Sequence, residues 1–380
     1  MKRGTGSTAV TILGFLLVGS LVGLGVASAA DPTVVRIGVI GPLTGDFAFG
    51  GQYQLTGAQL KAEELNAQRG DIRIEIISED DASKCDQSVA AARKLITRDQ
   101  VHVILGAWQS TCTLAIVPIT AQTGVPQFTT SVAGPITQQG SEWIFRVGIP
   151  TSVLNRYTLE HAVKTLGLKK VAIFTSNEEV GKSVAATSVA ALQVMGLTPV
   201  AKEEWNRGDK DFTGQLGRIR ASGAEAMILA TGFTELSIVS RQVRQLGMKI
   251  QLLGGDTIGG NPKFLELAGS DIEGWIFSVA FVPIEDDQRV GSIVRRYRER
   301  FRQLPDSWAV QFYDSVGIVH AAVKAVGRAD RKQIADYTRA LTRGTAYPGV
   351  TANMYFDARG DPVWDPLLVQ ISGGKWKILR

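Results

Sequence analysis

Cysteine occurs twice and histidine three times in 380 residues. Cys85 and Cys112, with His102, His161 and His320, are too few for a Cys/His zinc cluster and too far apart for a C-x-x-C redox pair. The H-E-x-x-H helix, the G-x-x-x-x-G-K-[ST] phosphate loop and the G-x-S-x-G nucleophile elbow are all missing. The chain is therefore not read as an enzyme, and no metal or cofactor is expected. Charge of one sign is also scarce. The formal net charge is +5, and Lys2 and Arg3 account for two of those charges. An excess of +3 over the remainder is too small to argue for nucleic acid.

Long hydrophobic runs are absent after residue 30, which leaves Ala9–Val26 as the single long one. It follows the basic pair Lys2-Arg3 and precedes the small residues Ala27-Ser28-Ala29-Ala30. That order is the pattern of a secretory signal, cleaved after Ala29 or Ala30. An uncleaved membrane anchor is the competing reading, because about eighteen apolar residues just span a bilayer. Six of the residues from Ala9 to Val26 are Gly, Ser or Thr, which favours the signal. The mature chain is then expected in the periplasm. An oxidising compartment allows one intramolecular disulfide, Cys85–Cys112, against two unpaired thiols.

What is present is ordinary globular composition, 44% hydrophobic and 20% charged. Short β-branched runs alternate with longer amphipathic stretches. Strands are expected at 34–40, 72–77, 101–105, 127–129, 171–174, 226–230, 250–253 and 277–281. Helices are expected at 50–68, 86–98, 111–123, 181–195, 235–246, 287–302 and 307–326. This alternation indicates α/β architecture with parallel sheets covered on both faces. One sheet of so many units would be unusually large, so two doubly wound lobes are expected. Turn residues place breaks near Gly148-Ile149-Pro150 and Val282-Pro283. A terminal hairpin is expected from 352–357 and 366–372, joined through Arg359-Gly360-Asp361. The arginines between Arg289 and Arg302 share their stretch with Ile293, Val294, Tyr297 and Phe301 at helical spacing. They read as the solvated face of an amphipathic helix, or else as a docking surface for an acidic partner. His320, beside Val316 and Val319, reads as a core or boundary residue.

Several segments carry a family resemblance. They are Ile37–Gly45, Gln52–Ala58, Asp80-Asp81-Ala82, Gly208–Thr213 and Phe356–Asp361, in that order along the chain. Together they resemble the branched-chain amino-acid (leucine/isoleucine/valine-type) periplasmic binding proteins of ABC transporters, over about residues 34–376. The resemblance implies a type I periplasmic binding protein, with two α/β lobes joined by a three-segment hinge. The lobes would be 31–150 with 282–364, and 151–281 with 365–380. It further implies a monomeric receptor that closes over a small ligand, an amino acid or related carboxylate. The receptor would deliver that ligand to ABC permease subunits in the inner membrane. A sensory protein presenting its ligand to a membrane receptor would use the same clamp.

The expected ligand contacts follow from fold and resemblance together. In doubly wound sheets, ligands bind beyond the carboxyl ends of the strands. The segment Trp108, Gln109 and Ser110 follows one such end and opens a helix, where free N–H groups favour an anion. Ser110 there either contacts a ligand carboxylate or caps the helix. The resemblance assigns further carboxylate contacts to Ser131 and Ala133, although Ala133 has no hydroxyl to offer. It assigns the ligand ammonium to Asp256, which is otherwise a turn-forming Asp beside Gly255. Phe49, Trp108 and Phe233 are expected to line the remaining wall.

Overall fold

The computed structural model describes residues 1–6, 32–68, 70–230 and 232–379. The leader expectation rests on residues 7–30, which lie outside the described residues. Among the described residues, no helix is long and apolar enough to cross a membrane. Pro32–Arg380 forms one compact unit.

The first half of that unit builds a wholly parallel sheet. Strands β1 (Thr33–Gly41), β2 (Ile72–Asp80), β3 (Val103–Leu105), β4 (Gln127–Thr129) and β5 (Ile144–Arg146) lie in the order β2-β1-β3-β4-β5. Helices α1 (Ala48–Ala67), α2 (Cys85–Thr97) and α3 (Ser110–Thr123) connect them. Strand β3 is buried at every position, as a strand covered on both faces must be.

The chain then passes through α4 (Thr151–Glu160) into a second sheet. Its strands are β6 (Val171–Ser176), β7 (Ala201–Trp205), β8 (Ala226–Ala230), β9 (Gln251–Gly254) and β10 (Ile276–Val279). Helices α5 (Glu179–Val194), α6 (Thr213–Ala221), α7 (Phe233–Gln245), α8 (Asp256–Gly259) and α9 (Pro262–Ala268) accompany them. Three helices follow: α10 (Gly291–Phe301), α11 (Ser307–Val326) and α12 (Arg331–Arg339). Residues of α11 and α12 share a buried cluster with β1 and β3 of the first sheet. Helix α11 meets α1 so closely that a Cβ on Gly57 would lie 1.9 Å from the Ala309 carbonyl oxygen, a contact only glycine permits.

The last strands are the short pair β11 (Tyr347–Pro348) and β12 (Asn353–Met354), then β13 (Leu367–Ser372) and β14 (Lys375–Ile378). The second sheet reads β14-β13-β10-β9-β8-β6-β7, and β13 runs antiparallel to both neighbours. The expected hairpin between 352–357 and 366–372 does not form. Instead, β13 pairs with β14 across Gly373-Gly374, whose φ values of 59° and 70° suit a tight hairpin turn. The Gly360 turn is retained as one isolated bridge, Phe356 with Pro362, with Asp357 N–H donating to the Asp361 carbonyl (2.8 Å). The arginines of α10 pair at the surface with Glu63, Glu64 and Glu285, while Ile293, Val294 and Tyr297 are buried. This matches the solvated-face reading.

Candidate functional site

The same strand order is written twice, β2-β1-β3-β4-β5 and β7-β6-β8-β9-β10. In each sheet the order reverses direction between the first strand and the third, and a crevice opens there. The loops leaving these four strands meet around a single cavity of about 70 Å³. Phe47 and Phe49 come from the end of the loop after β1 and the start of α1, and Trp108 through Thr111 from the loop after β3 and the start of α3. Glu178 and Val180 come from the loop after β6 and the start of α5, and Gly232 and Phe233 from the loop after β8 and the start of α7. Thr130, Ser131 and Val132 after β4, and Trp308 at the start of α11, complete the wall.

Polar side chains fix the first-sheet loops. The Asp80 carboxylate accepts from the backbone N–H groups of Leu43 (2.8 Å) and Thr44 (3.2 Å). Ser83 Oγ accepts from Phe47 N–H (3.2 Å). Cys85 and Cys112 are disulfide-bonded, which ties the start of α2 to the start of α3. Gly50 lets Trp108 approach, since a Cβ there would lie 2.4 Å from the indole ring.

Ser110 is the first residue of α3, and Gln109, not Ser110, occupies the N-cap position. The capping alternative for Ser110 therefore does not hold. The residue is 6% exposed and lines the cavity, and its side chain has no hydrogen-bond partner among the described residues. Its hydroxyl and the unpaired N–H groups of the first turn of α3 are donors without a protein acceptor. Thr130 Oγ1 accepts from Gln54 Nε2 (2.8 Å), so its own O–H remains free to donate. Ser131 is different. Its Oγ lies 2.8 Å from Thr113 Oγ1 and donates to the Trp108 carbonyl (3.0 Å), so it braces the loop. Ala133 is buried outside the cavity, and its carbonyl accepts from Arg146 (2.8 Å).

The structure does not bring Asp256 to the cavity. Its Oδ1 accepts from Ala280 N–H (2.9 Å) and Ser307 Oγ (2.7 Å), and its Oδ2 faces Gln311 Nε2 at 3.4 Å. Burial pushes this carboxyl up to about 6. Beside it, Asn261 donates to Asp306 (2.6 Å), and burial raises the Asp306 carboxyl well above the usual range. These contacts join the loop after β9 to α11. The resemblance had offered Asp256 as the ammonium partner; its geometry is that of a brace between the sheets.

Phe49 and Phe233 come from opposite sheets, with ring centroids 4.5 Å apart. At the cavity's rim, Arg207 pairs with Glu178 and stacks over Phe47 at 4.2 Å. With its amide oriented to satisfy both ends, Gln109 accepts from Arg207 (3.2 Å) and donates to the Ser83 carbonyl (3.3 Å). Phe47, Thr130, Glu178 and Trp308 were not singled out in the sequence. The strand-end rule applied to β6 would have pointed to Glu178. Trp308 reaches the site from a later crossing and carried no local signal. Among the described residues, no group of His, Cys, Asp and Glu is arranged to hold a metal ion.

Comparison with known proteins covers nearly the whole chain. The family model described as "Periplasmic binding protein" matches residues 34–375. A leucine-, isoleucine-, valine-, threonine- and alanine-binding protein of Pseudomonas aeruginosa is 26% identical over 340 residues, 88% of each chain. The crystal structure of a leucine-binding protein from Thermotoga maritima superposes with a TM-score of 0.82. It is 25% identical and covers 91% of this chain and 98% of its own. A solute-binding protein of an ABC transporter from Rhodopseudomonas palustris, in complex with benzoate, superposes with a TM-score of 0.81. It is 21% identical over 91% of this chain and 95% of its own, and shows the shared fold.

Proposed function

The chain belongs to the periplasmic binding protein family, and from that membership we propose that it is the solute receptor of an ABC importer. Members of this family are solute-binding proteins, not enzymes. In our reading the receptor works in the periplasm as a monomer and is exported through a cleaved leader. It closes over a small apolar amino acid or a related carboxylate and presents it to permease subunits in the inner membrane. The relative from Pseudomonas aeruginosa, named for five amino acids, supports an amino-acid-sized solute.

The lobes would be 31–150 with 282–364 and 151–281 with 365–380, the first carrying the five-stranded sheet and the β11-β12 pair, the second the seven-stranded sheet. Solute binding would shift a hinge equilibrium toward the closed form, because only that form offers donors and rings from both lobes. The observation that carries the reading is Ser110. A hydroxyl without a protein partner, opening into an aromatic cavity at a helix N-terminus, suits a carboxylate and needs no cationic side chain.

A thermal-shift screen over amino acids and small carboxylates tests it. A true solute at 100 times its dissociation constant should stabilise the fold by about 2.7 kcal/mol. Replacing Ser110 by Ala should then weaken binding of that solute by about 1–3 kcal/mol. Unchanged affinity in a normally folded Ser110→Ala protein would remove Ser110 from the contact set.

A further inference from the structure

The cavity wall separates acids that carry an amine from acids that do not. Its lining includes one charged side chain, Glu178, and that carboxylate is already paired with Arg207. Asp256, met by three neutral donors, and its neighbour Asp306 lie outside the cavity. Glu235, behind Gly232, also lies outside the lining and accepts from Gly208 N–H (3.0 Å). An α-ammonium entering here would be stripped of water with no unpaired carboxylate in the cavity lining to receive it. A buried charge in that position costs far more than its carboxylate partner recovers. The donors at Ser110 and the α3 N-terminus, by contrast, suit a lone carboxylate.

The remaining wall is flat. Phe49, Phe233 and Trp308 lie within 30–35° of one another at centroid distances of 4.5–6.2 Å. Trp108 stands edge-on to Phe49 and Trp308, at 81° and 86°. Near-parallel faces closed by a perpendicular edge match a planar ring, which gains from offset stacking on one side and edge contact on the other. A branched aliphatic chain gains only area.

Resting on the carboxylate reading above, we infer that the solute is an aromatic carboxylate without an amine. Its carboxylate sits on Ser110 and the first turn of α3. Its ring lies among Phe49, Phe233, Trp308 and Trp108.

Calorimetry on the mature protein with matched ligands decides this. The probes are benzoate, then 3-phenylpropanoate against L-phenylalanine, and 4-methylpentanoate against L-leucine. Within each pair the member without the amine should bind roughly tenfold tighter or more, the signature of an unpaired buried charge. Of the two amine-free acids, 3-phenylpropanoate should bind more tightly. An amino acid that binds as well as its amine-free partner overturns the inference while leaving the carboxylate reading intact. Tighter binding of 4-methylpentanoate overturns the aromatic part. If no probe binds, the carboxylate reading itself falls, and this inference with it. A second arm uses Asp256→Asn, checked for a wild-type melting profile. Affinity for 3-phenylpropanoate within about threefold of wild type supports the assignment, since Asp256 then acts only as a brace. A loss beyond about tenfold in that folded variant would place Asp256 at the ligand and overturn it.

Discussion

The two sheets share one strand order and differ in how their crevice loops are held. In the first sheet the loops after β1, β3 and β4 are fastened by several side chains and one covalent bond. They have the Asp80 carboxylate on two backbone N–H groups, the Cys85–Cys112 disulfide, and Arg146 under the β4 loop. In the second sheet the loops after β6 and β7 are fastened by a partly exposed ion pair, Arg207 with Glu178. Strand order thus decides where a crevice opens, and the residues in the loops decide what the crevice can do. The braced side supplies the donors of Ser110 and α3. The looser side supplies Phe233 and the rim residue Arg207, whose contacts with Phe47 and Gln109 reach the first sheet's loops. For a clamp this division is useful, because preorganised donors bind an anion without reordering cost while the opposite wall moves.

Removing a brace from the first side should have the largest effect. Arg146 is fully buried; it pairs with Asp361 (2.8 Å) and donates to the carbonyls of Ser131 (2.9 Å) and Ala133 (2.8 Å). Arg146→Met keeps bulk but strands Asp361 and two carbonyls, so stability should fall by about 3–5 kcal/mol. Urea unfolding would measure it, and a loss under about 1 kcal/mol would mean the β4 loop is held by packing alone. Next in size is the disulfide, which spans a sequence separation of 27. Replacing both Cys85 and Cys112 by Ser should cost roughly 3–4 kcal/mol on the chain-entropy model. No comparable substitution exists in the second sheet, since the described residues hold no other cysteine.

Two buried carboxyls, one of them at the junction between the two sheets, should make stability respond to pH. Burial raises the Asp256 carboxyl to about 6, and Asp314, accepting from Val350 and Thr351 N–H, rises to about 6 for the same reason. A carboxyl with a higher pKa in the fold than in the unfolded chain holds its proton more tightly when folded. Its stabilising contribution is therefore fully present below the unfolded value near 4, and it is lost as pH rises through about 6. The buried Gln311 Oε1 has no partner, so a protonated Asp256 could donate to it after an amide flip. Asp256→Asn offers the same donor at every pH. The variant's stability should change less than that of the wild type between pH 4.5 and 7, by on the order of 1–3 kcal/mol. Parallel stability–pH curves for the two proteins would show that Asp256 does not titrate in this range.

These contrasts also explain what the sequence revealed. The buried strands β1, β3 and β8 were legible because strands covered on both faces are continuous apolar runs. The edge strand β7, Ala201–Trp205, carries Lys202, Glu203 and Glu204 and alternates in burial, so it has no such run. Ser110 was legible because a strand end and a helix start bracket it within a few residues. The role of Asp256 was not legible. Its partners Ala280, Ser307 and Gln311 lie 24, 51 and 55 residues away, and no local pattern distinguishes a brace from a ligand contact.

The smallest expected effect on stability belongs to the rim, and it separates fastening from gating. Arg207 extends from the loop after β7, pairs with Glu178, stacks on Phe47 and reaches Gln109. Its side chain is 36% exposed, so solvent screens the ion pair, and the stacking on Phe47 adds a similarly modest amount. Together they should contribute about 1 kcal/mol or less to folding. Arg207→Ala should therefore leave the urea midpoint almost unchanged. In the proposed clamp, the contacts of Arg207 with Phe47 and Gln109 would cross from the second sheet's loop to the first sheet's loops only in the closed form, so their loss should favour the open form. Stopped-flow release of a bound solute should then speed up several-fold, with the association rate little altered. If Arg207→Ala instead lowers stability by several kcal/mol, the rim is a structural brace like Arg146. If neither stability nor release changes, the contacts at the rim are incidental to closure.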